Sequence, residues 1–238
     1  MSTLRRKRVA ILISGRGSNM GALIAAAADP DYPAEIVGVI SDKADAAGLG
    51  IAAARRVRTQ VVARADHPDR KAHDRAIDAA LSDLGAEIVA LAGYMRLLTT
   101  PFVEKWQGRM INIHPALLPS FKGLDTHRRA LEAGMRVHGC TVHFVTPEMD
   151  DGPIIAQAAV PVMLGDDEEA LAARVLKAEH RLYPKALRLV AEEKVRMEGG
   201  RAVFSGLAED PAGGDGSVFS PGALRDAVDL EALARFTP

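Results

Sequence analysis

The chain has 238 residues, 48% of them hydrophobic and 26% charged, and 30 Lys and Arg against 31 Asp and Glu leave a net charge of -1. This is globular composition, long enough for one large domain or two small ones, and the balance argues against a general binder of nucleic acid or anionic membrane. A single cysteine, Cys140, excludes an intrachain disulfide and a cysteine-rich zinc site and suits a reducing cytoplasm.

No apolar run approaches the roughly 20 residues of a membrane span. The basic segment Met1 to Arg8 precedes only Val9–Ile13, shorter than the about 7–15 apolar residues of a secretion signal. Val9–Ile13 instead has the continuous apolar character of a strand buried on both faces, and it ends in Ser14-Gly15-Arg16-Gly17-Ser18. The pattern then predicts a helix over Asn19–Ala28, a strand over Glu35–Ile40, a helix over Asp45–Arg56 and a short strand over Gln60–Val62. Asp69–Leu84 has helical apolar spacing behind Pro68, Glu87–Ala92 reads as a strand, Thr100 to Trp106 as a short helix, and Arg109–Ile113 as a strand. Strand and helix in alternation imply a doubly wound α/β fold with a mostly parallel sheet, which places ligands at the carboxyl ends of its strands.

The pattern changes after residue 135. Cys140–Val145 and Ile154–Val162 read as strands, and the link between them is too short for a crossover helix, so the C-terminal portion of the sheet is expected to be antiparallel. Asp166 to Glu169 is acidic, as suits a helix N-terminus, and the helix is expected to run to about Val195, ended by Gly199-Gly200. Arg201–Ser205 reads as a last strand, Glu209–Ser220 as a linker, and Ala223–Phe236 as a short amphipathic helix. The expected division is one catalytic domain over 1–207 and a linker and tail over 208–238.

Three strand ends carry chemistry. In the first, Gly15-Arg16-Gly17-Ser18-Asn19 can turn backbone amides toward an anion at a helix N-terminus. It lacks the Lys-Ser or Lys-Thr of a phosphate loop, and Met20 stands at the third glycine of the dinucleotide fingerprint. The bland alternative is a glycine turn with Ser18 as helix cap. Asp42, after the second strand, keeps a nicotinamide-dependent oxidoreductase open, since a carboxylate there can hold a ribose hydroxyl. A further alternative is a non-catalytic sugar-phosphate binder.

Gly93-Tyr94-Met95-Arg96 forms the second strand end and Asn112-Ile113-His114-Pro115 the third. Alternation puts Asn112 and His114 on one side, where an amide and an imidazole suit a developing oxyanion. Asp150-Asp151-Gly152-Pro153 supplies carboxylates in a tight turn, and a carboxylate beside an imidazole favours its charged form and fixes its tautomer. The other histidines show no metal-site spacing; His138 and His143, on or beside a strand, read as packed. Trp106 reads as core and Arg128-Arg129 as a solvated helix face.

Together, Ile11-Leu12-Ile13-Ser14-Gly15-Arg16-Gly17-Ser18-Asn19, Leu91-Ala92-Gly93-Tyr94-Met95-Arg96-Leu97-Leu98, Ile111-Asn112-Ile113-His114-Pro115-Ala116-Leu117-Leu118-Pro119 and His143 through Pro153 resemble the phosphoribosylglycinamide formyltransferases, folate-dependent enzymes of purine synthesis. The resemblance covers about Lys7 to Arg201. It implies a Rossmann-like formyltransferase fold and transfer of a formyl group from 10-formyltetrahydrofolate, the co-substrate, to the amine of 5-phosphoribosylglycinamide. It implies Asn112, His114 and Asp150 as the catalytic trio. Gly17, Ser18 and Asn19 would bind the ribotide phosphate, and Glu179 its glycinamide amine. Arg70 and the segment Met95, Arg96, Leu97 and Leu98, with Asn112, would bind folate.

No metal and no covalent enzyme intermediate are needed for such a transfer. The expected partners are small molecules, with no nucleic acid or membrane, and the expected form is a cytoplasmic monomer or homodimer. Two positions depart from the family pattern: Asp125, where many relatives have histidine, and Asp151, where glycine is frequent. Formyltetrahydrofolate deformylases and formyl-tRNA transferases share the Asn-x-His and Asp-x-Gly-Pro elements. The former carry an N-terminal regulatory domain and the latter a second, usually basic, C-terminal domain, neither of which fits this chain.

Overall fold

The computed structural model describes residues 5–207 and 219–220. Its centre is an eight-stranded sheet. Strands β1 (Lys7–Ile13), β2 (Ala34–Ser41), β3 (Thr59–Val61), β4 (Ile88–Leu91) and β5 (Met110–His114) are parallel; β6 (Val137–Phe144), β7 (Ile154–Pro161) and β10 (Phe219–Ser220) continue the sheet antiparallel. The spatial order is β10-β7-β6-β5-β4-β1-β2-β3.

Helices cover both faces: α1 (Ser18–Ala27), α2 (Ala47–Ala54) and α6 (Glu168–Ala191) with the short α5 (Thr126–Glu132) on one side, α3 (Arg70–Asp83) and α4 (Thr100–Lys105) on the other. The two-residue period of the strands divides the core between them. Val9, Ile11 and Ile13 of β1 join the α1/α6 core, while Ala10 and Leu12 join the α3/α4 core. On β5, Ile111 and Ile113 face the first core and Met110 the second, so Asn112 and His114 share the side of Met110. Trp106 fills the α3/α4 core as expected and donates its indole N–H to Asp78 at 3.1 Å.

Strand order reverses between β1 and β4, one leading to β2 and the other to β5. This is the topological switch point where doubly wound sheets hold ligands. Three expectations need correction. Helix α6 stops at Ala191 rather than near Val195: Glu193 takes a positive φ of 57°, and Val195–Glu198 (β8) pairs with Arg201–Phe204 (β9) around Gly199-Gly200, which turn a hairpin rather than end a helix. The N-cap of α1 is Gly17, not Ser18, and no side chain caps it. Phe219 and Ser220, inside the expected linker, pair with Ala158 and Gln157 of β7. The expected helix Ala223–Phe236 lies outside the described residues.

Candidate active site

The switch point joins two of the three strand ends directly. Ser14 donates its amide to the carbonyl of Gly93 at 3.1 Å, and its hydroxyl accepts from the amide of Met95 at 2.9 Å. The loop after β1 thus holds the loop after β4. Gly17 sits at φ 72°, and a Cβ there would lie 2.8 Å from the Cα of Gly48 in α2, so glycine is required by the fold. The first intrahelical bond runs from Gly21 N–H to the Gly17 carbonyl, which leaves the amides of Ser18, Asn19 and Met20 free of helical acceptors. A Cβ on Gly15 would meet nothing within 4 Å. The loop is therefore an amide-lined, positively polarised end with open space in front of it.

Asn19 extends this loop to α6. Its Nδ2 donates to Glu179 Oε2 at 2.8 Å, and its Oδ1 is buried with no partner among the described residues. Glu179 is buried, and desolvation pushes its carboxyl above the usual range, opposed by the Asn19 bond. One turn on, the Tyr183 hydroxyl lies 2.9 Å from the carbonyl of Leu91 and 3.2 Å from that of Ile111, fixing α6 to the end of β4 and to the adjacent backbone of β5.

The third strand end gathers the trio. His114 is buried; its Nε2 lies 2.9 Å from the Phe121 carbonyl and its Nδ1 3.4 Å from Asp150 Oδ2. A carbonyl only accepts, so Nε2 carries hydrogen, and a carboxylate stands ready for a second proton on Nδ1. Asp150 adopts φ 52°, which aspartate tolerates, and its Oδ2 also accepts from the Gly123 amide at 2.9 Å. A Cβ on Gly152 would fall 1.7 Å from the Phe144 carbonyl oxygen, so glycine there lets the Asp150 turn dock on β6.

Asn112 stands opposite His143 across the β5–β6 pair, its Nδ2 3.2 Å from His143 Nε2. His143 Nδ1 lies 2.9 Å from the Phe144 carbonyl, so Nδ1 carries the hydrogen and neutral Nε2 accepts from the Asn112 amide. Burial lowers the basicity of His143; the Phe144 bond and Asp150 oppose that, and His114 adds to it. The expectation that His143 is simply packed is incomplete, because it orients Asn112.

The loops flanking the trio are tied to one another. Arg129, expected to be solvated, donates to the carbonyls of Lys122 at 2.7 Å and Leu124 at 3.2 Å. Lys122 pairs with Asp151, and Asp125 pairs with Arg128 from the N-cap of α5. His138 packs edge-on to Phe121 and His127 at 5.9 and 5.3 Å, and burial holds it down to about 4. Arg70 opens α3, exposed and without an ion-pair partner among the described residues. Met95, Leu97, Leu124 and Met149 expose apolar surface on the loops at this edge. Leu98 is half-buried, and Arg96 turns inward to bond His73. Asp42 leaves Oδ1 buried without a partner among the described residues, and Met20 fills the space of a third fingerprint glycine. No group of three or more metal-binding side chains occurs among the described residues.

A protein-family model described as formyl transferase matches residues 7–187. The chain belongs to the formyl transferase family. Phosphoribosylglycinamide formyltransferase of Escherichia coli is 41% identical over 205 residues, which cover 86% of this chain and 97% of the bacterial protein. The crystal structure of phosphoribosylglycinamide formyltransferase from Brucella melitensis superposes with a TM-score of 0.76 at 60% identity, covering 79% of this chain and 96% of that one. The trifunctional purine biosynthetic protein adenosine-3 of Bos taurus is 52% identical over 198 residues, 83% of this chain. The chain spans about a fifth of that relative's length. The matched span holds all three strand ends, Asp150 and Glu179; the β8–β9 hairpin lies beyond it. No helix among the described residues is long and apolar enough to cross a membrane.

Proposed function

We propose that the protein transfers the formyl group of 10-formyltetrahydrofolate to the amine of 5-phosphoribosylglycinamide, a step of purine nucleotide synthesis, and that residues 1–207 form its catalytic domain. The observation that carries this reading is the cluster Asn112, His114, His143 and Asp150 at the end of β5, together with an amide-lined loop at the end of β1 that is joined to a buried carboxylate, Glu179. The amides at Gly17, Ser18 and Asn19 bind the ribotide phosphate, and Glu179 holds the amine. Arg70 and the backbone of Met95, Arg96, Leu97 and Leu98 bind the folate, with Met95 and Leu97 giving it apolar contact.

The neutral amine attacks the formyl carbon; an N–C bond forms and charge collects on the formyl oxygen. Asn112, its amide already oriented by His143, donates a second N–H to that oxygen. His114 donates from Nε2 by exchanging the Phe121 carbonyl for the oxyanion, while Asp150 stabilises the imidazolium. The intermediate collapses by breaking the bond from carbon to the folate N10, and the amine's proton moves to that nitrogen through water held by Asp150.

The test mixes the chain with a 10-formyl folate analogue, with and without the ribotide, and follows the deformylated folate by absorbance and the products by mass spectrometry. Formylated ribotide formed only when both are present supports the reading. Formate released without ribotide would mean a deformylase, and no reaction would refute both.

A further inference from the structure

Helix α3 presents two adjacent buried polar side chains to the loop after β4. His73 is wholly buried, and its Nε2 lies 2.7 Å from the Val62 carbonyl. That carbonyl only accepts, so Nε2 carries the hydrogen and Nδ1 is left with a lone pair. Arg96 Nη1 donates to that lone pair. Asp74, also buried, accepts the Thr99 amide on Oδ2 at 2.7 Å. One turn of α3 thus grips both ends of the segment 96–99, and the Ser14 hydroxyl holds Met95 from the other side.

The grip decides which way the segment faces. Arg96 is drawn inward, with Nη2 buried and unpartnered among the described residues, and Met95 and Leu97 on either side of it are 70% and 58% exposed. Arg96 therefore acts as an anchor rather than as a free cation for a ligand. The same helix carries Arg70 in its first turn, so His73 and Asp74 also set the distance between Arg70 and the 95–98 backbone.

We infer that His73 is a positioning residue for the folate subsite, acting through Arg96, and that its protonation releases the 95–98 segment and weakens folate binding. This rests on the folate assignment made above. A proton on Nδ1 would set N–H against N–H and one cation against another, leaving Arg96 without its acceptor. The groups facing the ring are Val62 O from the end of β3, Arg96 from the loop after β4, Asp74 from α3, and His67, edge-on at 5.2 Å, from the turn before α3. Burial, Arg96 and His67 disfavour the proton, while the Val62 bond and Asp74 favour it; the balance leaves His73 below its usual 6.5 and neutral at physiological pH.

The experiment compares wild type, His73→Phe and His73→Asn in formyl transfer and in equilibrium binding of a folate analogue between pH 5 and 8. Asparagine keeps an acceptor near the place of Nδ1 but cannot titrate. His73→Phe is expected to raise the KM for the formyl folate about tenfold, with kcat and the ribotide KM within about twofold. His73→Asn is expected to stay near wild type at pH 7.5. Wild-type folate affinity should fall as the pH drops below 6.5, and this component should be missing in His73→Asn. An unchanged folate KM in a folded His73→Phe chain, or the wild-type pH dependence in His73→Asn, would overturn the inference alone. A wild-type chain that binds no folate analogue at pH 7.5 would instead remove the reading on which it rests.

Discussion

The side-chain amide of Asn112 points at Nε2 of His143, 3.2 Å away across the β5–β6 pair, and the Phe144 carbonyl fixes the His143 tautomer that can receive it. An amide in this position has one N–H committed and one free, so its direction is set before substrate arrives. His143→Leu is expected to lower kcat about tenfold to a hundredfold with smaller changes in both KM values. Thermal unfolding beside the kinetics separates this from global damage.

Asp150→Asn should fold normally, since asparagine also accepts a positive φ and can still receive the Gly123 amide. Turnover should fall at least about a hundredfold, because His114 loses its carboxylate partner 3.4 Å from Nδ1. Circular dichroism and a pH–rate profile from 6 to 9 check this; unchanged turnover over that range would remove Asp150 from the mechanism.

The two glycines of the first loop should behave differently. Gly17→Ala places a Cβ 2.8 Å from Gly48 at a positive φ and should destabilise the fold by about 1–3 kcal/mol. Gly15→Val projects into open space, so stability should change little while ribotide affinity falls and folate-analogue affinity holds. Denaturant melts and separate binding titrations give both readings.

Glu179 carries a pH prediction. Its folded-state carboxyl is raised above the unfolded 4.5 by burial. Between those two values the folded state holds more protons than the unfolded, so stability falls as the pH rises through that window and stays lowered above it. Glu179→Gln should therefore raise the melting temperature at pH 7.5, by an amount that shrinks as the pH is lowered toward 5. The ribotide KM should rise steeply in the same variant, since the amine loses its carboxylate. A melting temperature that falls would show that the Asn19 bond outweighs desolvation.

A chain ending at Leu207 loses Phe219 and Ser220, which pair with the edge of β7. Formyl transfer should be retained with little change in substrate affinity, because Phe219 and Ser220 pair with Ala158 and Gln157 on β7, whereas the hydrogen bonds described for the trio and the phosphate loop are made to other segments. Self-association should increase, since β7 becomes an open edge. A folded, inactive truncation would move the domain boundary beyond 207.

Local pattern determined the architecture. Val9–Ile13 is apolar at every position because both faces of β1 are covered, and the short link from Val145 to Ile154 left no room for a crossover. The places where local pattern failed are those where a distant partner decides. Local pattern extends α6 past Ala191 because nothing near Val195 signals its pairing with Phe204. Nothing local to Arg129 marks it as an anchor, because the carbonyls of Lys122 and Leu124 that it holds come together only when the loop folds.

The site divides in the same way. Asn112 and His114 share a face by strand alternation alone, and the glycine loop's place at a strand end is legible from order. Glu179 and Arg70 are implied by family resemblance alone, since nothing in their local sequence marks them. His143 and His73 needed the tertiary structure. His143 matters because the β5–β6 register sets it opposite Asn112, and His73 because the turn of α3 brings its Nδ1 to Arg96. Residue type and periodicity determine which elements form and which face is apolar. Which polar groups meet, in which tautomer and how far from water, depends on register and packing between segments distant in the chain, and no local pattern encodes that.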